Sequence, residues 1–221
     1  MREFNLAIER WKTITGSINA LEKALKRPVT LVAVSKTQPQ EAILPLLEAG
    51  HRVFGENRIQ EAMEKWPLLR ERYPDIELHL IGSLQTNKVK EALSLFDVIH
   101  TIDRAGLVDA IYKEKNKAIT RCNQFLIQIN TGKEPQKGGA LIENLPSLIA
   151  YMSTRIPVNG LMCIPPAEDI PDSHFALLSK LAKKYKLPYL SMGMSNDYKT
   201  AIKFGATHVR IGTALFGERK N

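Results

Sequence analysis

Cysteine is almost missing from this chain: Cys122 and Cys163 are the only two among 221 residues. They stand far apart and no Cys-x-x-Cys pair occurs, so neither a disulfide framework nor a thiolate zinc site is indicated. Reduced, buried thiols are expected. No apolar run approaches the roughly 18 residues that a membrane-spanning helix requires. The opening Met1-Arg2-Glu3-Phe4-Asn5-Leu6 has no apolar core of a secretory signal, which sets a cytoplasmic expectation. Aromatic residues are sparse at 7%, and Tyr185 alone stands among Lys180, Lys183, Lys184 and Lys186 where these crowd one helix. The net charge of +8 is therefore read as solvated helix faces, with attraction of a small phosphorylated molecule as a further use, and not as a nucleic-acid surface.

What the chain does have is enough apolar material, 44% of residues, for one large α/β core. Over residues 3–26, Phe4, Ile8, Trp11, Ile14, Ile18, Leu21 and Leu25 recur every three or four positions. That spacing predicts one long amphipathic helix, ended by Arg27-Pro28. From residue 29 onward, short β-rich runs alternate with helical patterns at a period near 25 residues. Eight strands are predicted, at Thr30–Ser35, His51–Gly55, Glu77–Ile81, Val98–Thr101, Phe125–Asn130, Val158–Cys163, Tyr189–Met192 and His208–Ile211. Eight βα units favour an α/β fold of the TIM-type (β/α)8 barrel class, with residues 1–27 as an extra N-terminal helix packed on it. A doubly wound open sheet is the alternative.

Barrels bind ligands at the carboxyl ends of their strands, so the residues just after each strand become the candidate site. The first strand, Leu31-Val32-Ala33-Val34-Ser35, ends on Lys36. Low-dielectric surroundings disfavour an ammonium and free an amine that attacks aldehydes, which is the chemistry of a Schiff-base lysine. The same position also suits a lysine whose stem packs while its head reaches water. After the last two strands come Ser191-Met192-Gly193-Met194-Ser195-Asn196-Asp197 and Arg210-Ile211-Gly212-Thr213-Ala214-Leu215-Phe216-Gly217. Glycines that let backbone approach an anion, the hydroxyls of Ser195 and Thr213, and amides at the following helices make these two turns a candidate phosphate grip. Ordinary capped turns are the competing explanation. Arg210, if it points inward, offers a permanent donor to a ring nitrogen or an ion pair to a carboxylate.

Taken together, Val34-Ser35-Lys36-Thr37, Phe54-Gly55-Glu56-Asn57 with Gln60-Glu61, His79-Leu80-Ile81-Gly82 with Leu84-Gln85 and Asn87-Lys88, Gly160-Leu161-Met162, Ser191-Met192-Gly193-Met194-Ser195 and Val209-Arg210-Ile211-Gly212 occur in one order. This order resembles the pyridoxal 5′-phosphate homeostasis protein family, single-domain barrels related to the N-terminal domain of alanine racemase, over about residues 3–217. The resemblance implies that residues 1–221 form one domain binding pyridoxal 5′-phosphate (PLP). It implies a Schiff base on Lys36, a phosphate held by Ser195, Gly212 and Thr213, and Arg210 facing the ring nitrogen. Asn57 and His79 are expected on the pocket wall, although Asn57 also suits a helix cap and His79 a hydrogen-bonded core position. One departure is Gly132-Lys133-Glu134-Pro135-Gln136-Lys137-Gly138-Gly139, where many members carry a serine-glycine-glutamate run before the lysine. A flexible exposed loop is expected there.

Two functions fit such a site: an amino-acid racemase or lyase, or a carrier that buffers PLP and delivers it to PLP-dependent apo-enzymes. Racemisation needs acid–base groups on both faces of the substrate carbon. Racemases of this relationship take the second base, a tyrosine, from an additional domain, and only four residues follow Phe216-Gly217 here. Of the tyrosines, Tyr198 alone is placed near a strand's exit. The carrier reading, with no catalytic residues, no metal, no nucleic-acid or membrane partner and a monomeric state, is the expectation.

Overall fold

A computed structural model of the chain describes residues 2–118 and 120–218, with side chains from residue 6 onward, so the side chain of Phe4 lies outside the described part. The leading helix α1 covers Arg2–Leu25. Ala7, Ile14 and Ile18 on its inner stripe are buried, whereas Leu25, expected to continue the stripe, is exposed. Eight strands follow: β1 Thr30–Val34, β2 Val53–Glu56, β3 Glu77–Leu80, β4 Val98–Ile102, β5 Gln124–Ile129, β6 Gly160–Cys163, β7 Tyr189–Ser191 and β8 His208–Ile211. The helices between and after them are α2 Gln40–Glu48, α3 Ile59–Arg72, α4 Val89–Leu95, α5 Ala105–Lys115, α6 Leu145–Ser153, α7 Pro171–Tyr185, α8 Tyr198–Lys203 and α9 Thr213–Phe216.

All ladders are parallel and run in sequence order to closure. The last pairs with the first through Thr30↔His208, Leu31↔Val209, Val32↔Arg210 and Ala33↔Ile211. Closure removes the open-sheet alternative and buries the strands on both faces, which is why their sequences read as unbroken apolar runs. Strand limits differ from the sequence reading by a residue or two. His51 illustrates the cause: its amide donates to the Leu46 carbonyl at the end of α2, so it belongs to the turn and β2 starts at Val53.

The outer layer packs α1 against α2, α8 and α9. Inside the barrel the filling is unusually polar. His79, His100, Ser191 and Arg210, from β3, β4, β7 and β8, are all buried and hydrogen-bonded in series.

Candidate functional site

Lys36 sits in the turn that leaves β1, and the turn geometry is unusual. Thr37 adopts φ 63°, the left-handed region that a β-branched residue seldom occupies. Its amide donates to Glu61 Oε1 at 2.6 Å and its hydroxyl donates to the Lys36 carbonyl at 2.6 Å. The half-buried Lys36 lines a cavity of about 650 Å3 at the carboxyl end of the strands. Ser195, Gly212, Thr213, Arg210 and Asn57 line the same cavity. Six of the seven residues singled out from the sequence are thus brought to one place, in a volume within the range of small-molecule sites.

The turns after β7 and β8, the latter on the strand next to β1, are joined to each other, since the Ala214 amide donates to Ser195 Oγ at 3.1 Å. In the β7 turn, Asp197 Oδ1 accepts the Met194 amide at 2.5 Å, and the amides of Asp197 and Tyr198 donate to the Met194 carbonyl. The amides of Ser195 and Asn196 have no acceptor among the described residues. Gly193 is required in this turn. It has φ +92°, and a Cβ there would lie 2.5 Å from Ala201 Cβ and 3.0 Å from Tyr198 Cα. Gly193→Ala should therefore lower stability by about 1–3 kcal/mol, read as a fall in the urea midpoint; an unchanged midpoint would contradict the packing described.

Asn57 is not a helix cap. The first turn of α3 is preceded by Arg58, with no side-chain cap, and Asn57 Oδ1 is buried without a hydrogen-bond partner among the described residues. An unsatisfied amide oxygen beside a cavity is costly unless a bound group supplies the donor.

Arg210 donates from Nη1 to Ser191 Oγ at 2.6 Å and from Nη2 to the Cys163 carbonyl at 2.9 Å. No carboxylate ion pair with Arg210 occurs among the described residues, so the ion-pair alternative is not what holds it. Burial lowers its pKa, but an arginine stays charged in proteins, and the neighbouring Cys163 thiol is pushed up to about 12 by burial and is neutral.

His79 corrects one expectation: it does not line the cavity. It lies below, fully buried, with Nε2 2.6 Å from Glu77 Oε1 and Nδ1 2.8 Å from His100 Nε2. His100 Nδ1 in turn is 2.8 Å from Ser191 Oγ. Burial holds His100 well below the ordinary histidine range and takes His208 down to about 3, so both rings are neutral. Arg210 only donates, so Ser191 Oγ accepts from it, and Ser191, His100, His79 and Glu77 continue from there as one hydrogen-bonded chain whose donor and acceptor roles follow the tautomers of the two imidazoles. His79 thus acts on the cavity through three other side chains.

Asn196 and Asp197 of the loop after β7 also line the cavity, as do Gln38 and Asp169, which the sequence reading missed. Asp169 follows the Ile164-Pro165-Pro166 exit of β6, and that exit was the available signal. The Gly132–Gly139 loop is not merely an exposed excursion. The Asn130 side chain donates to the carbonyls of Glu134 and Lys137 and accepts the Glu134 amide, and Lys137 pairs with Glu134 at 2.7 Å, away from the cavity wall. Tyr198 is buried in the core and lines no part of the cavity.

Comparison with known proteins gives the class first. The model of the alanine racemase N-terminal domain matches residues 12–220, nearly the whole chain. An alanine racemase from Corynebacterium glutamicum shares the fold at a TM-score of 0.67 and 19% identity, with 95% of this chain covering 61% of that one. Within that class, the pyridoxal phosphate homeostasis protein of Aquifex aeolicus is 44% identical over 203 residues, covering 86% of this chain and 87% of the relative. That of Vibrio cholerae is 40% identical over 237 residues, covering 99% and 98%. PipY of Synechococcus elongatus PCC7942, solved without PLP, superposes at a TM-score of 0.86 with 32% identity, covering 96% of this chain and all of PipY, and it has also been solved with PLP bound. The chain belongs to the pyridoxal phosphate homeostasis protein family.

Proposed function

We propose that this protein binds PLP as a Schiff base on Lys36 and serves to buffer the cofactor and deliver it to apo-enzymes. One observation carries the reading: an amine and two glycine-bearing turns with hydroxyl side chains, which come from opposite ends of the sequence, line a single cavity of about 650 Å3. In the proposed condensation the Lys36 amine adds to the aldehyde carbon, the C=N bond forms and the aldehyde oxygen leaves as water. Hydrolysis by one water reverses the step and releases the cofactor, which is what a buffer requires. The amides and hydroxyls of Ser195, Gly212 and Thr213 are the groups suited to the phosphate, Arg210 donates to the ring nitrogen, and the unsatisfied Asn57 Oδ1 has capacity for a donor on the ligand. The homologues support PLP as the ligand by name, and PipY by its PLP-bound structure.

A carrier is favoured over a racemase because no tyrosine or histidine lines the cavity among the described residues. A second-face base of the kind two-base racemisation uses is thus missing from the wall. We read the chain as a cytoplasmic monomer whose residues 1–221 act as one PLP-binding unit. No described helix is long and apolar enough to cross a membrane. Borohydride reduction of the PLP-loaded protein, followed by peptide mass analysis, is expected to place the reduced adduct on Lys36. The same preparation incubated with L-alanine should yield no D-alanine above the rate of free PLP. An adduct on another lysine overturns the site, and sustained racemisation overturns the carrier role.

A further inference from the structure

The turn carrying Lys36 is fastened from outside the barrel, by side chains that do not line the cavity. Lys65, on the inner face of α3, is buried, and its ammonium donates to the Ser35 carbonyl at 2.9 Å, to Glu56 Oε1 at 2.9 Å and to Glu61 Oε1 at 2.8 Å. Glu56 Oε1 also accepts the Ser35 hydroxyl at 2.8 Å and the Trp66 indole N–H at 3.1 Å. Glu61 Oε1 accepts the Thr37 amide. Both chain neighbours of Lys36 are therefore tied to one Lys65–Glu56–Glu61 cluster: Ser35 through its carbonyl and hydroxyl, Thr37 through its amide.

The arrangement is expensive in isolation. Two carboxylates share one ammonium, Glu56 is fully buried with its Oε2 unpartnered among the described residues, and Thr37 is held at a backbone angle its β-branched side chain resists. Such strain persists only where the surroundings over-determine it, and it collects where geometry matters for function. A merely structural ion pair would not need to reach both flanks of the one residue whose amine the site uses.

We propose that Lys65 and Glu61 are positioning residues for Lys36: they hold the Ser35–Thr37 turn so that the Lys36 amine meets the cofactor aldehyde. The proposal rests on the Schiff-base reading above. Its direct consequence is a separation between two kinds of ligand binding. Phosphate and ring contacts come from other loops and should survive loss of the clasp, whereas condensation at Lys36 should not.

The test uses PLP and pyridoxine 5′-phosphate, which carries an alcohol in place of the aldehyde and cannot condense. For Lys65→Met and Glu61→Ala, the imine-formation rate constant with PLP should fall by about tenfold or more, while pyridoxine 5′-phosphate affinity stays within about twofold of the parent. Glu61→Gln, which keeps an acceptor for the Thr37 amide, should recover most of the rate. Glu61 is partly exposed, so its variants report even if Lys65→Met does not fold. Wild-type imine rates in Lys65→Met and Glu61→Ala overturn the proposal, as does an equal loss of both ligands, which marks a general structural role. If the parent protein itself forms no imine, the functional reading fails and this inference with it.

Discussion

Lys36→Ala will abolish the borohydride-trappable adduct and the imine absorbance while leaving measurable, weaker binding of PLP. Separate elements supply the two parts of the cavity wall. Lys36 is supplied by the exit of β1, whereas Ser195, Gly212, Thr213 and Arg210 come from the exits of β7 and β8 and from β8 itself, so removing the amine leaves the anion turns intact. The Ala214–Ser195 hydrogen bond that joins those turns does not involve β1. Loss of a covalent but reversible link should weaken affinity by on the order of 100-fold, about 2.7 kcal/mol. Equilibrium dialysis against PLP reads the residual affinity. Binding lost altogether would show the turns to be minor, and undiminished binding would show that condensation adds nothing.

A second large effect is expected from acid. His51 is lowered to about 4 and His208 to about 3, each chiefly by burial, and His100 lies well below its ordinary value for the same reason. In the unfolded chain these rings take up protons near pH 6.5, before the folded protein does. The unfolded state then binds more protons, so stability falls as pH drops from about 6.5 toward the folded values. Between pH 6.5 and 5 His51 and His208 each contribute a loss of about 1.6 kcal/mol, roughly 3 kcal/mol together, and His100 adds in the same direction, against a typical total of about 5–15 kcal/mol. Glu56 opposes this, because burial raises its carboxyl above the ordinary value and protonation favours the folded form. Glu77, lowered by its hydrogen bond to His79, adds to the loss only below about pH 4.5. The urea midpoint should therefore drop steeply from pH 7 to pH 5; a flat profile over that interval would falsify the buried neutral imidazoles.

The barrel was legible because its signals are local. Each strand is a short apolar run, each exit is marked by glycine or a polar residue, and eight repeats of that unit leave few alternatives. Most of the cavity-lining residues were legible for the same reason, since strand exits converge once the sheet closes. What escaped were relations across units. His79 was misplaced because a histidine within a strand gives no sign of which end of the barrel its ring reaches; only the partners at Glu77 and His100 place it below the cavity. Lys65 was invisible because it lies in a helix otherwise ordinary in its pattern, and its burial depends on Ser35 and Glu56 from neighbouring strand ends. The Gly132–Gly139 segment lacked any periodicity that would announce the clasp made by Asn130.

The joint between β1 and β8 closes the barrel and completes the cavity wall. That ladder unites segments from the two extremities of the sequence, so it carries the largest loop-closure penalty of any pairing in the barrel. α1 lies over the joint like a splice, touching α2 on one side and α8 and α9 on the other. Because the cavity takes Lys36 from one side of that joint and Thr213 from the other, its wall is whole only when head and tail of the chain are brought together.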